Sequence, residues 1–182
     1  MNNIHPSVLA NMLRESMAKG MSPSLIVFSN SMSPLLRRGD QVWLTSINEN
    51  ELQPGDIVTV VAPEELLTHR FYGFRDNCLI TGGDRSLGFD APWPKEALLG
   101  KVVACQHNGR FLSLLIPPGR QLAQYLGWLA YHEKQWFSTP PTLITKFIHR
   151  LIWGWAWLLT TFVLAIRSFW PVPNKPNPTP EH

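Results

Sequence analysis

Short apolar runs separated by turn residues fill the chain between residues 25 and 116 and restrict the folds that it can adopt. The runs lie at residues 25–28, 41–45, 56–61, 67–74, 78–81, 99–106 and 110–115. Gly, Pro, Asn and Asp gather between them, in segments such as PGD at 54–56, GGD at 82–84 and NG at 108–109. Because no helical pattern interrupts these short strands, they argue against a parallel α/β sheet. They predict a mainly β fold of coiled antiparallel sheets or a partial barrel.

Helical patterns flank this β region on both sides. Residues 1–20 predict one short amphipathic helix, with apolar residues recurring every three or four positions. The sequence PPG at 117–119 marks a boundary, after which residues 120–136 predict another helix. The chain therefore divides into an N-terminal helix (1–20), a β domain (21–117), a C-terminal helical region (118–170) and a Pro-rich tail (171–182) that we expect to be disordered.

The segment from residue 151 to residue 166 is uncharged and apolar around its whole circumference. With its apolar neighbours it approaches the ~20 residues that span a bilayer. Its tryptophans, with Lys146, Arg150 and Arg167 at its ends, are typical of a segment bordered by lipid headgroups. We expect residues 147–170 to contact a membrane as a span or as a surface helix, with a buried helix as the alternative. The positive side chains before the segment place the β domain on the cytoplasmic side.

Charge and cysteine content narrow the possible partners. The net charge of +3 comes from residues scattered along the chain, so nucleic acid is not an expected partner. The two cysteines, Cys78 and Cys105, lack metal-ligand spacing and cannot form a disulfide framework, so buried free thiols are expected. Residues 1–20 carry charges and no continuous apolar core, so no signal peptide is expected. We expect no cofactor.

Two residues suggest nucleophilic chemistry. The segment from residue 28 to residue 40 predicts a strand that delivers Ser31 into a tight turn, where its hydroxyl can be exposed. A serine nucleophile needs a base and donors for the oxyanion. His69, in the apolar strand at 67–74, is the candidate base because imidazole can carry a proton near neutral pH. Each also has an ordinary reading, as a turn serine and as a surface-facing strand histidine.

Two carboxylates follow on a glycine-containing loop. Asp84 and Asp90 flank this loop after the strand at 78–81. One of them can orient a histidine and stabilise its cation, while the other can hold the loop through backbone or arginine contacts. Gly-Asp is also common turn material. The pair could ligate a metal, although no further ligands cluster beside it.

In this order, the motifs resemble the sequence boxes of the type I signal peptidases. Residues 29–36 (SNSMSPLL) are similar to the nucleophile box and residues 54–58 (PGDIV) to the next one. Residues 68–71 (THRF) resemble the general-base box, 83–90 the acidic box and 100–103 (GKVV) the closing strand. The resemblance implies the coiled β fold that signal peptidases share with LexA-like peptidases. It also implies a serine-type endopeptidase.

The resemblance assigns roles residue by residue. It implies Ser31 as the nucleophile, and the Ser29 hydroxyl with the Ser31 backbone N–H as the oxyanion hole. His69 stands where most bacterial members and the LexA-like enzymes have lysine, as in the archaeal and endoplasmic-reticulum branch. Asp90 is favoured as the partner of His69, with Asp84 as a supporting carboxylate.

Some features depart from the family. Arg85 and Ser86 follow the Gly-Asp pair where the Ser–His branch has Asn, and we expect no membrane anchor of the family's kind within residues 1–24. A lysine base would have to be distant, and Lys101 is the nearest rival to His69. A cytoplasmic β domain would also be on the wrong side for secretory signal peptides. The resemblance therefore supports a mechanism more firmly than a substrate class.

The leading hypothesis is a membrane-associated serine endopeptidase that cleaves a precursor or leader peptide after small residues. The peptide would bind as an added strand beside residues 25–28. The alternative is a non-catalytic peptide-binding or membrane-scaffold module on the same fold. A self-cleaving regulator of the LexA kind would need a DNA-binding domain that residues 1–20 are too short to supply.

Overall fold

The computed structural model describes residues 5–86, 88–136 and 143–167. Their strands form one antiparallel sheet that curls into a half-barrel, with helices at both ends of the chain. The described strands are β1 (Ser24–Ile26), β2 (Gln41–Thr45), β3 (Ile57–Val61), β4 (Leu66–Arg75), β5 (Cys78–Gly82), β6 (Trp93–Pro94), β7 (Leu98–His107) and β8 (Arg110–Ser113). The mainly β prediction is confirmed.

The sheet order is β1-β2-β7-β3-β4-β5-β6, and β8 pairs with β7. The register shifts leave one extra residue in β7 opposite β2, another in β7 opposite β3 and one in β4 opposite β5, and these bulges help the sheet to curl. The hairpins β4–β5 and β7–β8 turn at Asp76-Asn77 and Asn108-Gly109, all with positive φ. Two residues with positive φ suit the right-handed twist of the strands, which is why these dipeptides were recognisable as turns.

Three helices pack against this sheet. They are α1 (Pro6–Ala18), α2 (Gly119–Trp136) and α3 (Leu143–Arg167). The helix α1 lies within the predicted range 1–20 and α2 begins one residue before the predicted 120, whereas α3 begins well before the uncharged run at 151. The Pro-rich tail at 171–182, which we expect to be disordered, lies outside the described residues.

One apolar core joins all three helices to the sheet. Buried residues of α1 (Leu13), β2 (Val42), α2 (Leu126) and α3 (Ala156) belong to the same cluster. A smaller cluster on the other side of the sheet contains Phe71. The C-terminal helices are therefore part of the folded body that carries the site.

The structure places both thiols and the apolar helix. Cys105 is buried and Cys78 is half-buried, and both thiols are free.

Residues Lys146–Ala165 of α3 are long and apolar enough to cross a membrane. That is the one such stretch among the described residues.

Candidate active site

The loop after β1 fixes the position of Ser31. Met32, Leu35 and Leu36 are each at most 2% exposed and anchor the loop in the core. The Leu36 N–H donates to the Met32 carbonyl at 3.0 Å, which closes a single tight turn. The buried apolar residues and the closed turn that follow Ser31 therefore fix the backbone on its C-terminal side.

His69 lies in β4 opposite Val58 of β3 and is 6% exposed. Its Nε2 lies 2.9 Å from Ser31 Oγ, and its Nδ1 lies 2.7 Å from Asp90 Oδ2. A buried polar side chain in an apolar strand needs hydrogen-bond partners. His69 has one on each ring nitrogen, and both are residues that the sequence had singled out.

Asp90 is held by a second hydrogen-bond donor. Thr81 Oγ1 donates to Asp90 Oδ2 at 2.6 Å, and Trp93 Nε1 donates to Thr81 Oγ1 at 3.1 Å. Burial alone would raise the pKa of the Asp90 carboxyl, but hydrogen bonds from His69 and Thr81 outweigh burial and hold that pKa below its usual value. Asp90 is therefore an anion at neutral pH.

An anionic Asp90 decides which nitrogen of His69 carries the proton. A carboxylate only accepts hydrogen bonds, so Nδ1 must donate to it. In the neutral ring, Nε2 is then left as an acceptor facing the hydroxyl of Ser31. This is the arrangement in which an imidazole can take the proton of a serine hydroxyl.

Ser29 lies directly beside Ser31. Its Oγ is 3.0 Å from Ser31 Oγ and accepts the Ser31 N–H at 3.5 Å. The hydroxyl and the N–H are thus next to the attacking oxygen, but in this state they contact each other. Rotation of the Ser29 hydroxyl would free both donors for a substrate oxygen.

Gly83 allows the next loop to pack directly on the nucleophile. A Cβ at this position would lie 2.9 Å from the Ser31 carbonyl oxygen and 3.0 Å from Ser31 Cβ. The Arg85 N–H also donates to the Ser31 carbonyl at 2.9 Å. Only glycine fits such a close backbone approach, so this part of the GGD motif supports the geometry of Ser31.

Asp84 does not contact His69. Its two carboxylate oxygens accept from Arg70 Nε at 2.7 Å and Arg70 Nη2 at 2.6 Å, and both side chains are 0% exposed. Of the two candidate carboxylates, the structure thus brings Asp90 to the histidine and Asp84 to an arginine. The neighbour of His69 in sequence, Arg70, was not predicted to have a role. Its signal was a charged residue within a strand that is otherwise apolar.

Neither lysine close to the site contacts Ser31. Lys101, the predicted rival base, pairs with Asp56 at 2.8 Å. Lys134 of α2 is 3% exposed and donates to the carbonyls of Gly83, at 2.7 Å, and of Ser86. Burial lowers the pKa of Lys134 to about 8. Sequence reasoning missed this lysine, although it lies four residues after Ala130 on the apolar side of α2.

No three His, Cys, Asp or Glu side chains gather to hold a metal ion among the described residues. The Asp84–Asp90 pair is divided between an arginine and a histidine, so it forms no ligand set.

The sequence of the chain matches no protein-family model. It also matches no curated protein.

We expect Thr81→Val to weaken the hold on the Asp90 carboxylate, because Asp90 loses one of its side-chain hydrogen-bond donors. The same change raises the folded-state pKa of Asp90. A depressed carboxyl pKa contributes stability that is lost as the pH falls through that pKa. In Thr81→Val the Asp90 carboxylate should therefore contribute less to the free energy of unfolding at neutral pH. That smaller contribution should be lost at a higher pH than in the wild type. Unfolding midpoints measured across acidic pH check this.

Thr59→Val is the matched control. Thr59 is another fully buried strand threonine, and its hydroxyl contacts the neutral Thr68 hydroxyl at 2.9 Å. Thr59→Val should leave the dependence of the unfolding midpoint on acidic pH unchanged. If both variants shift that dependence equally, the contact between Thr81 and Asp90 is not the cause.

Proposed function

We propose that this chain is a serine endopeptidase with Ser31 as nucleophile, His69 as general base and Asp90 as its orienting carboxylate. The observation that carries the proposal is the continuous row of hydrogen bonds from Ser31 Oγ through both nitrogens of His69 to Asp90. This row supports Ser–His chemistry of the signal-peptidase type, and the curled antiparallel sheet is compatible with the fold of signal peptidases and LexA-like peptidases.

The mechanism follows from the protonation states of the hydrogen-bonded groups, with Asp90 as an anion and the proton of His69 on Nδ1. Ser31 Oγ attacks the scissile carbonyl carbon while His69 Nε2 takes its proton. Asp90 stabilises the resulting imidazolium, and the Ser31 N–H with the Ser29 hydroxyl binds the oxyanion. His69 then gives the proton to the leaving amine, which leaves an acyl ester on Ser31. A water activated by His69 hydrolyses this ester and restores the hydroxyl.

A cleft of about 730 Å³ extends as far as Ser29, two residues before Ser31, and Thr68, the residue before His69, and we assign the substrate peptide to it. One wall is β1 with its continuation to Ser29, and the other is the start of β4 as far as Thr68. The walls are mainly apolar, and Glu64 and Glu65 add negative charge to the lining. Such a cleft favours an apolar segment that carries no acidic residues.

Both walls present unpaired strand edges. Among the described strands, β1 pairs with β2 alone, and β4 is paired with β5 only from Arg70 onward. The Val27 N–H donates to the Asp40 carbonyl, and the Val27 carbonyl accepts from the Gly39 N–H. By the alternation of an antiparallel ladder, the backbone groups of Ile26 therefore face the cleft. A substrate can add there as a strand, with its scissile bond near Ser31.

The experiment that tests the function is cleavage of a peptide library by the purified full-length chain. New peptide ends are identified by mass spectrometry, and Ser31→Ala is treated in parallel. We expect new ends with the wild type alone, after small residues as the family resemblance implies. As a second measurement, each protein is immobilised on a column and the same peptides are passed over it. If both proteins bind peptides but neither cuts them, the chain is the non-catalytic binding module and the proposal fails.

We expect Ile26→Pro to lower kcat/KM about tenfold, because proline removes the N–H that a substrate strand would accept. An edge strand tolerates proline when the lost N–H faces away from the sheet, so the unfolding midpoint should change little. Ile26→Ala keeps the N–H and removes the side chain, and it should retain most activity. Equal losses in the two variants would show that the side chain matters and that the edge N–H does not.

A further inference from the structure

The helix α3 has two opposite faces of different character. Trp153, Ala156, Thr160 and Leu164 are each at most 7% exposed and pack towards the protein. An α-helix turns about 100° per residue, and the stripe opposite to these residues is exposed along its length. That stripe consists of Phe147, Leu151, Trp155, Leu158 and Phe162, which are 57–64% exposed. We call these five residues the outer stripe.

Polar groups of the protein hold the inner face at the beginning of the helix. Glu133 of α2 is 2% exposed and accepts from Trp153 Nε1 at 2.6 Å. Its other oxygen lies 2.6 Å from His149 Nδ1. Lifting α3 off the protein would leave this carboxylate without those partners, which is costly for a buried charge.

Charged groups also lie against the second half of the helix. The guanidinium of Arg37 lies 5.4 Å from the ring centre of Trp157. A cavity of about 310 Å³ between the β domain and α3 is lined by Arg37, His107, Arg110 and the α3 residues Trp157 and Leu164. Charges of the protein therefore accompany α3 along most of its apolar length.

These contacts are incompatible with a helix that crosses a bilayer. At ~1.5 Å per residue the helix rises about 22 Å from His149 to Leu164, most of the ~30 Å of a hydrocarbon core. A docked α3 that spanned this core would carry Arg37, Arg110 and Glu133 into it. Each buried charge there costs several kcal/mol or more. A docked helix can instead lie parallel to the bilayer with only its outer stripe in lipid.

The borders of the outer stripe match a lipid surface. Arg150 is exposed and lies at one border of the stripe, where arginine can reach anionic headgroups. The exposed side of α2 carries the row Tyr125, Trp128 and Trp136, which are 40–70% exposed. Tyrosine and tryptophan are the residues favoured at the boundary of hydrocarbon and water.

We propose that α3 is an in-plane anchor that inserts its outer stripe into one leaflet of a bilayer containing anionic phospholipid. This binding does not depend on the peptidase chemistry, because none of Ser31, His69 and Asp90 takes part in it. The bilayer contact expected from the apolar run is thereby assigned a geometry, in which the polypeptide does not cross the membrane at α3.

The experiment measures the partition of the purified full-length chain onto vesicles of phosphatidylcholine with phosphatidylglycerol, by flotation. We expect the wild type to float with the vesicles. Leu158→Glu with Phe162→Glu should lower the partition coefficient about 100-fold or more, since two side chains lose their apolar burial. The matched control is Val8→Glu with Met12→Glu, a pair of similarly exposed apolar residues on α1. It should change partition less than about twofold, because α1 is outside the proposed surface.

Extraction distinguishes an anchor from a span. When the chain is expressed in cells, alkaline carbonate should release it from the membrane fraction. Resistance to carbonate would show a span and overturn the proposal. Absence of flotation by a correctly folded wild type would also overturn it. If such a protein is a dimer, and the outer-stripe variants are monomers, the outer stripe binds a second copy of the chain and not a bilayer. None of these outcomes depends on whether the chain cleaves peptides.

Discussion

Ser31→Ala is expected to reduce peptide cleavage about 10⁴-fold or more, to the level that binding and oxyanion contacts alone supply. The reason is geometric. Ser31 Oγ is the hydroxyl that lies 2.9 Å from His69 Nε2. Kinetics on one peptide substrate measure the effect, with a thermal unfolding curve to show that the variant folds.

The loss should not be additive with that of the base. His69→Ala removes the proton acceptor, and we expect a loss close to that of Ser31→Ala. Because the two groups act as one unit, the double variant should be no slower than either single variant by more than about tenfold. If the two losses multiply, the residues act independently and the proposed mechanism is wrong.

Two other serines of the same loop separate a role in catalysis from general sensitivity of the loop, and Ser33 is the control. Ser29→Ala removes one proposed oxyanion donor, and we expect a loss of about 10²-fold. Ser33→Ala changes a half-buried serine two residues beyond the nucleophile and should retain full activity. A large loss for Ser33→Ala would indicate that the loop is sensitive to any substitution. The Ser31 result could then not be ascribed to nucleophilic attack.

The sequence predicted most strands because their signals are local. Asn108-Gly109 and Asp76-Asn77 are turn dipeptides with apolar runs on both sides, and both are two-residue hairpin turns in the structure. The missed strand β6 is Trp93–Pro94, which pairs with Leu79 and Cys78. Two residues that include a proline carry no alternating pattern, so only the pairing partner reveals them as a strand.

The candidate site was predictable in part for a similar reason. Ser31 stands out because it follows an apolar strand, His69 because it is a polar residue within one, and Asp90 because it ends a glycine-containing loop. The choice between Asp84 and Asp90 depends on which carboxylate reaches β4 in space, and spacing along the chain does not contain that information. Thr81 was invisible because threonine is an ordinary strand residue.

Long-range partners of buried charges were not predictable at all. Lys134 reaches the loop at Gly83 across 51 positions of sequence, and Arg70 reaches the Ala123 carbonyl across 53. The apolar run of α3 predicted membrane contact but not how the helix lies. That orientation depends on Glu133 and Arg37, which lie outside the run.

The second large effect concerns stability, and it is expected for Arg70→Met. Arg70 is 0% exposed, and it donates to both oxygens of Asp84. It also donates to the carbonyls of Gly55 at 2.7 Å and Ala123 at 2.9 Å. Burial alone would lower the pKa of this guanidinium, but the Asp84 carboxylate outweighs burial and raises it. Arg70 therefore ties β4, the Gly83 loop and α2 together as a permanent cation.

Removing the cation leaves Asp84 charged and buried without its partner. We expect Arg70→Met to lower the free energy of unfolding by about 3–5 kcal/mol, as measured by urea denaturation. Lys101→Met is the matched control, because the Lys101–Asp56 pair has a similar length but side chains that are 22% and 17% exposed. Solvent reaches both side chains of that pair and neither side chain of the Arg70–Asp84 pair, so the loss of Lys101 should cost clearly less than the loss of Arg70.

The double variant Arg70→Met with Asp84→Leu separates the ion pair from the packing around it. If the unpaired carboxylate causes most of the loss, removing it as well should restore part of the stability, because apolar residues can replace a buried ion pair at little cost. The Gly55 and Ala123 carbonyls stay without their donor, so recovery should be incomplete. A double variant that is less stable than Arg70→Met would mean that Asp84 supports the loop on its own. In that case the bridge to Arg70 would not be what holds Gly83 against Ser31.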